Sequence, residues 1–366
     1  PGRLPYAARD SKFLDSDEPV DPPSVAVIRG TAGDLTAVGS GSQSLVCIDP
    51  PYYDNVMYGE LSDFFGVWEQ HTVGSVWPDL MPGGLADQAN EAVANVARFE
   101  SFGRRKKELA SADYQAKMRS VFAECNRVLR DDGVLSVMFT HKKAEAWDTL
   151  GMALMEAGFE IATSWPVNTE SKQSLHIAKK NAAESTVMLV CRKRSDGDTA
   201  PVFFEELVHS VKSAAREAVE RFESHGIEGV DLLLSTYGPV LSVISAAWPV
   251  YSSDANADGS ARLIQPEEAL NVARAELVEA RRLAIVGRQV TFDSVTDFWL
   301  IAWELFRAEE FPYDEARRLA LAVGGQDPES LAAVGILRKK TGTVVLTTPG
   351  DRRRRVLRPV QDGEFE

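Results

Sequence analysis

Asp49, Pro50, Pro51 and Tyr52 follow directly on the apolar run Leu45-Val46-Cys47-Ile48. A carboxylate, a stiffened carbonyl and a flat ring in that order suit one kind of chemistry. An amine conjugated to a purine or pyrimidine ring is a poor nucleophile, because its lone pair is spread into the ring. To attack a methyl donor, the nitrogen must have that density drawn back. Asp49 can accept one amine hydrogen, and the Pro50 carbonyl, held rigid by Pro51, can accept the other, so that preorganised acceptors meet the developing charge. Tyr52 offers a face on which the base can stack once it has left its helix. Tyr53 adds a second ring as a candidate substrate contact.

The elements that would position these groups can be read around them. Leu45 to Asp49 fits a strand covered on both faces, and the two prolines must end its ladder because they have no N–H to donate. Loops at strand ends are where open α/β sheets gather ligands. Tyr58 to Gln70 carries Leu61, Phe64, Phe65 and Trp68 at helical spacing, a stripe expected to pack. Asp54 and Asn55 either support the loop or touch the base. Residues 86–99 are expected to be helical, as are 113–129, where Tyr114, Met118, Val121, Phe122, Cys125 and Val128 share a face. Arg130 to Gly133 then turns the chain into a strand over 134–139, parallel to the first. His141 and Lys142 fall at its carboxyl end, level with Asp49, where His141 can position the base or the DNA backbone and Lys142 can bind phosphate. A helix over 145–157 and strands over 159–167 and 185–192 complete this region.

The Asp49-Pro50-Pro51-Tyr52 run resembles the signature of the DNA amino-methyltransferases that act on N6 of adenine or N4 of cytosine. Extended to Phe65, and taken with Phe139-Thr140-His141-Lys142, it is similar to the large prokaryotic putative adenine-specific DNA methylases with an N-terminal domain of unknown function. The resemblance implies an α/β fold: part of a Rossmann-like class I methyltransferase sheet ending in an antiparallel pair, then a mainly helical C-terminal domain. It also implies S-adenosylmethionine as methyl donor, DNA as partner, no metal, and a setting in restriction-modification or phage defence. Asp34, in the Gly-Asp step after the apolar run 25–29, is implied as a cofactor contact, although an Asp that starts a turn fits equally. Lys172, in the polar stretch 168–184 between the last two strands, is implied to face the DNA. The Phe-x-Gly-x-Gly turn expected to hold the methionine part of the cofactor is not found, so the cofactor half is expected upstream in a longer polypeptide or on another subunit. Two alternatives remain open beside N6-adenine methylation: an inactive DNA-binding subunit, and N4-cytosine methylation. An RNA methyltransferase is a third.

The expected organisation is a linker over 1–24, the target-base region over 25–195 and the helical domain over 200–366, with a helix and hairpin near its end that either packs or reads DNA as a wing. The chain has 366 residues, 44% hydrophobic and 26% charged, enough for two ordinary domains. No apolar run is long enough to span a bilayer, and a cytoplasmic home is expected. Cys47, Cys125 and Cys191 are expected to be buried thiols. A net charge of −14 speaks against indiscriminate coating of nucleic acid and leaves room for local basic strips. One such strip is Arg104 to Lys107. Replacing its four basic residues with Ala is expected to weaken DNA binding and flatten its dependence on salt, and a titration over several salt concentrations checks this.

Overall fold

The computed structural model describes residues 30–54, 56–78, 81, 84–141, 144–168, 185–195, 201–227, 232, 235–255, 259–306, 310–324, 327–348 and 350–351. The apolar run 25–29, Asn55, Lys142 and the stretch 169–184 with Lys172 lie outside these residues. The chain folds as an α/β protein with mixed sheets.

Its principal sheet contains β1 (Gln43–Ile48), β2 (Leu129–Phe139), β3 (Phe159–Asn168) and β4 (Ser185–Lys193), in the order β1-β2-β4-β3. β1 and β2 are parallel, while β4 runs antiparallel to both β2 and β3. The parallel pair needs a long connection, and α1 (Tyr58–Thr72), 3-10 turns over Val96–Arg105 and α2 (Lys106–Val128) supply it. The expected helix at 86–99 is therefore absent: bends precede these 3-10 turns, which are broken at Phe99 and at Gly103. Arg130 to Gly133, expected as a turn, is instead extended within β2, where the pairing with β1 slips between Gln43 and Leu45.

One face of the sheet is sealed. Leu135, Val137 and Phe139 of β2, Phe159 and Ile161 of β3, and Val187, Leu189 and Cys191 of β4 join a core with Tyr114, Met118, Phe122 and Cys125 of α2 and with Trp147, Leu150 and Leu154 of α3 (Ala144–Glu156). The alternation expected of a half-buried sheet puts Leu45 and Cys47, Met138, Met188 and Trp165 on the opposite side. There Leu45 and Trp165 are both 57% exposed, and Cys47 is exposed rather than a core thiol. β1 was expected to be covered on both faces, and the described residues cover only one.

The helical part does not form a separate body beyond residue 200. α4 (Phe204–Ser224), α5 (Tyr237–Ala246) and α6 (Pro266–Val286) share the core of the principal sheet. The Ile161 N–H donates to Ser245 Oγ (2.8 Å) where β3 bulges, so α5 satisfies that edge. A small sheet, β5 (Val202–Phe203), β6 (Val250–Ala255) and β7 (Ala261–Leu263), borders these helices. The break in packing falls later. α7 (Ser294–Phe306), β8 (Glu310–Pro312), α8 (Tyr313–Gly324), α9 (Pro328–Ala333), β9 (Leu337–Lys339) and β10 (Thr343–Leu346) enclose a second core. With sheet order β8-β10-β9, this is the element order of a winged helix. Its exposed Lys339 and Lys340 are paired with Glu329 and Glu310. No helix among the described residues is long and apolar enough to cross a membrane.

Asp148 on α3 marks the seam with α6, accepting the Glu267 N–H (2.7 Å). Burial, with the charges of Glu267, Glu145 and Glu268 adding to it, lifts this carboxyl from 3.8 to about 6. Its folded form holds a proton that the unfolded chain has already released, so stability falls as pH rises from about 4 to about 6 and does not recover above. Asp148→Asn keeps the acceptor and removes the charge. It is expected to stabilise the fold by roughly 1–2 kcal/mol at pH 7 and by nothing at pH 4, as read from urea unfolding at both pH values.

Candidate functional site

The site is the chain from Asp49 to Asp54, where β1 stops. Asp49 is exposed, while Pro50 behind it is buried. The two prolines end the ladder as their chemistry requires, and the loop's polar groups must find other partners. The Pro51 carbonyl finds two, accepting from the Tyr53 N–H (3.0 Å) and from the Tyr114 hydroxyl (2.9 Å). The Pro50 carbonyl finds none: no described residue donates to it. A carbonyl without a donor in a buried residue is uncommon enough to call for an explanation. Asp49, whose carboxylate is the other acceptor that the sequence suggests, precedes it in the chain and is exposed.

Tyr52 is half-buried, its ring edge-on to Phe139 (5.8 Å between centroids). Burial first, and then a hydrogen bond to Asp49, push its phenol well above the ordinary value, so it stays protonated and donates. The ring thus lies near the carboxylate.

Tyr53 and His141 are not on the surface of the loop, where substrate contact would place them. Tyr53 is 4% exposed and His141 3% exposed. Tyr53 has φ +54, the left-handed region that a bulky side chain rarely enters. Its hydroxyl donates to Glu145 Oε1 (2.7 Å), its carbonyl accepts from the Ala94 N–H (2.9 Å), and its ring meets Tyr114 and His141 edge-on. Burial, countered by a bond from Ser111, raises its phenol well above the ordinary range. His141 Nε2 lies 3.1 Å from Asp54 Oδ1, and its carbonyl accepts from Trp147 Nε1 (3.0 Å). Both rings brace the loop from beneath. Spacing alone did not single out Glu145, Tyr114 and Asp54 as their partners, because the contacts join three separate elements.

Asp34 is not brought to this site. It sits in an exposed turn, accepting from the Thr36 N–H (3.2 Å). Arg127 of α2 donates to the Leu35 and Val38 carbonyls, and its own carbonyl accepts from Gly41. Glu124 accepts the Leu35 N–H and, bonded to Arg127, is held down to about 2. These contacts fix residues 34–41 beside the last turns of α2, next to the start of β1. Asp49 is at the other end of that strand, roughly 20 Å away at the usual rise per residue. Asp34 starts a turn, and the described residues do not bring it to Asp49. Gly30, Gly33, Gly39 and Gly41 belong to the same segment, so the described residues do not compose a cradle for S-adenosylmethionine.

The aromatic stripe of α1 also departs from expectation. Leu61, Phe64, Phe65 and Trp68 are 52 to 63% exposed, and within α1 Gly59 is buried. The expected packing partner is not among the described residues. No group of His, Cys, Asp or Glu among them could hold a metal ion.

Comparison with family models, with curated proteins and with solved structures finds no match.

His141→Ala removes a buried ring and leaves Asp54 without it. We expect a loss of about 1–3 kcal/mol in unfolding free energy, measured by urea denaturation, because the residue braces the fold. A change confined to DNA affinity, with unaltered stability, contradicts this role.

Proposed function

We propose that the chain is the target-base part of a DNA amino-methyltransferase, acting on N6 of adenine. The observation that carries this reading is the contrast between two adjacent carbonyls. Pro51's is saturated, while Pro50's, in a buried residue next to the exposed Asp49, has no donor among the described residues. On this reading an extruded adenine presents its amine to both acceptors. Asp49 and the Pro50 carbonyl each take one hydrogen, which localises the lone pair on nitrogen as it attacks. Tyr52 offers its face to the base. The sheet order agrees with the resemblance, with an antiparallel pair after the parallel strands.

S-adenosylmethionine is the proposed donor. The described residues do not fit it, so a cofactor-binding unit on the same polypeptide or another one is part of the proposal. Three features support that unit. β1 pairs on one side only among the described residues, Leu45 and Cys47 are open beside that edge, and α1 displays an unpartnered apolar face. A parallel sheet is ordinarily covered on both faces. Taken alone, the chain is expected to bind S-adenosylmethionine weakly or not at all.

A second reading is a DNA-binding subunit without chemistry, favoured by the distance of Asp34 from Asp49 and by the sequence's lack of a Phe-x-Gly-x-Gly turn. A transfer assay on the complete polypeptide, or with the cofactor unit added, separates the two. Transfer to duplex DNA that falls at least about a hundredfold in Asp49→Ala, with DNA binding retained, supports the enzyme. No transfer by the parent supports the binding subunit. Digestion of the product to nucleosides distinguishes N6-methyladenine from N4-methylcytosine.

A further inference from the structure

The clamp beneath the loop draws on several parts of the chain. A tyrosine held at positive φ costs of order 1–3 kcal/mol and persists only where its surroundings over-determine it. Tyr53 is held at its hydroxyl by Glu145 from α3, at its carbonyl by Ala94 from the segment before the 3-10 turns, and at its ring by Tyr114 from α2 and by His141 after β2. These are four separate parts of the chain converging on one residue. The consequence is local. Across Tyr52 the Tyr53 N–H folds back onto the Pro51 carbonyl, and the Tyr114 hydroxyl reaches the same oxygen. Both lone pairs of that oxygen are then engaged, while the neighbouring Pro50 oxygen has neither engaged by a described residue.

We propose that Tyr53, Tyr114 and Glu145 are positioning residues that sort the two proline carbonyls, tying down that of Pro51 so that the Pro50 oxygen alone is offered, in a fixed direction, to the amine of the target base. The inference rests on the function proposed above and names part of the machinery of that same site. Glu145 acts at one remove, through the Tyr53 hydroxyl. Tyr114 acts directly on Pro51. Neither touches the base. The rigidity of the acceptor is the gain, because a displacement of about 1 Å in a reacting group can cost roughly a hundredfold in rate.

The test uses steady-state transfer by the complete polypeptide, with kcat and the KM for DNA resolved separately, on Tyr114→Phe, Tyr53→Phe, Glu145→Ala, Glu145→Gln and Asp49→Ala. Tyr114→Phe and Tyr53→Phe keep the buried rings and remove one hydroxyl each, so folding is expected to survive, as circular dichroism and a melting curve verify. We expect kcat to fall about 10- to 100-fold in Tyr114→Phe, Tyr53→Phe and Glu145→Ala, with KM for DNA within about twofold of the parent. Glu145→Gln retains an oxygen that accepts from Tyr53 and is expected to recover most of the rate. Parental kcat in Tyr114→Phe and Tyr53→Phe, alongside a dead Asp49→Ala, overturns the positioning role and leaves the proposed function standing. Equal losses in Glu145→Gln and Glu145→Ala overturn the part assigned to Glu145. Unchanged transfer in Asp49→Ala, or no transfer by the parent, overturns the function itself and this inference with it.

Discussion

Two prolines at the end of β1 impose the constraint from which the site follows. Neither can donate to a ladder, so the strand must stop and its last carbonyls must be satisfied some other way or left bare. The chain answers unevenly. Pro51's oxygen takes two donors, from Tyr53 and Tyr114, and Pro50's takes none from the described residues. The residue that donates to Pro51, Tyr53, holds a left-handed backbone and is anchored from α2, α3, the segment at Ala94 and the end of β2. The loop is the place where the elements of one half of the sheet are tied together.

How much of this was legible in the residues depends on the range of the interaction. β1, β2, α2 and α3 could be read because each has its own periodicity and a local stop, such as Gly158 at φ +85 after α3. The loop's location at the carboxyl end of β1 followed from the prolines alone. The places of Tyr53 and His141 did not follow, because an aromatic residue in a loop has the same spacing whether it faces outward or beneath. Only the long-range partners Glu145 and Asp54 decide it. The location of Asp34 was not legible for a related reason. A Gly-Asp step names a turn, and the Arg127 and Glu124 contacts that carry that turn to the amino end of β1 are more than 80 positions away in sequence.

The stripe on α1 shows the limit of periodicity in another way. Leu61, Phe64, Phe65 and Trp68 repeat as a buried face would, and the described chain supplies nothing to bury them. The same is true of Leu45 and Cys47 on the open side of the sheet, whereas the β3 edge is satisfied by Ser245. The pattern in the residues reports what a surface is suited to touch. It does not report whether the partner is in the same stretch of chain.

The central claim is that Asp49 and the Pro50 carbonyl hold an exocyclic amine. It is tested most directly by comparing the affinity of the protein for a short deoxyadenosine single strand with that for the same strand built from purine, which lacks the amine. The account predicts that the parent binds the adenine strand about tenfold more tightly and that Asp49→Ala binds the two alike, since a hydrogen bond to a charged group is worth roughly 1.5–3 kcal/mol. Equal affinity of the parent for both strands, or a preference that survives Asp49→Ala, would contradict it.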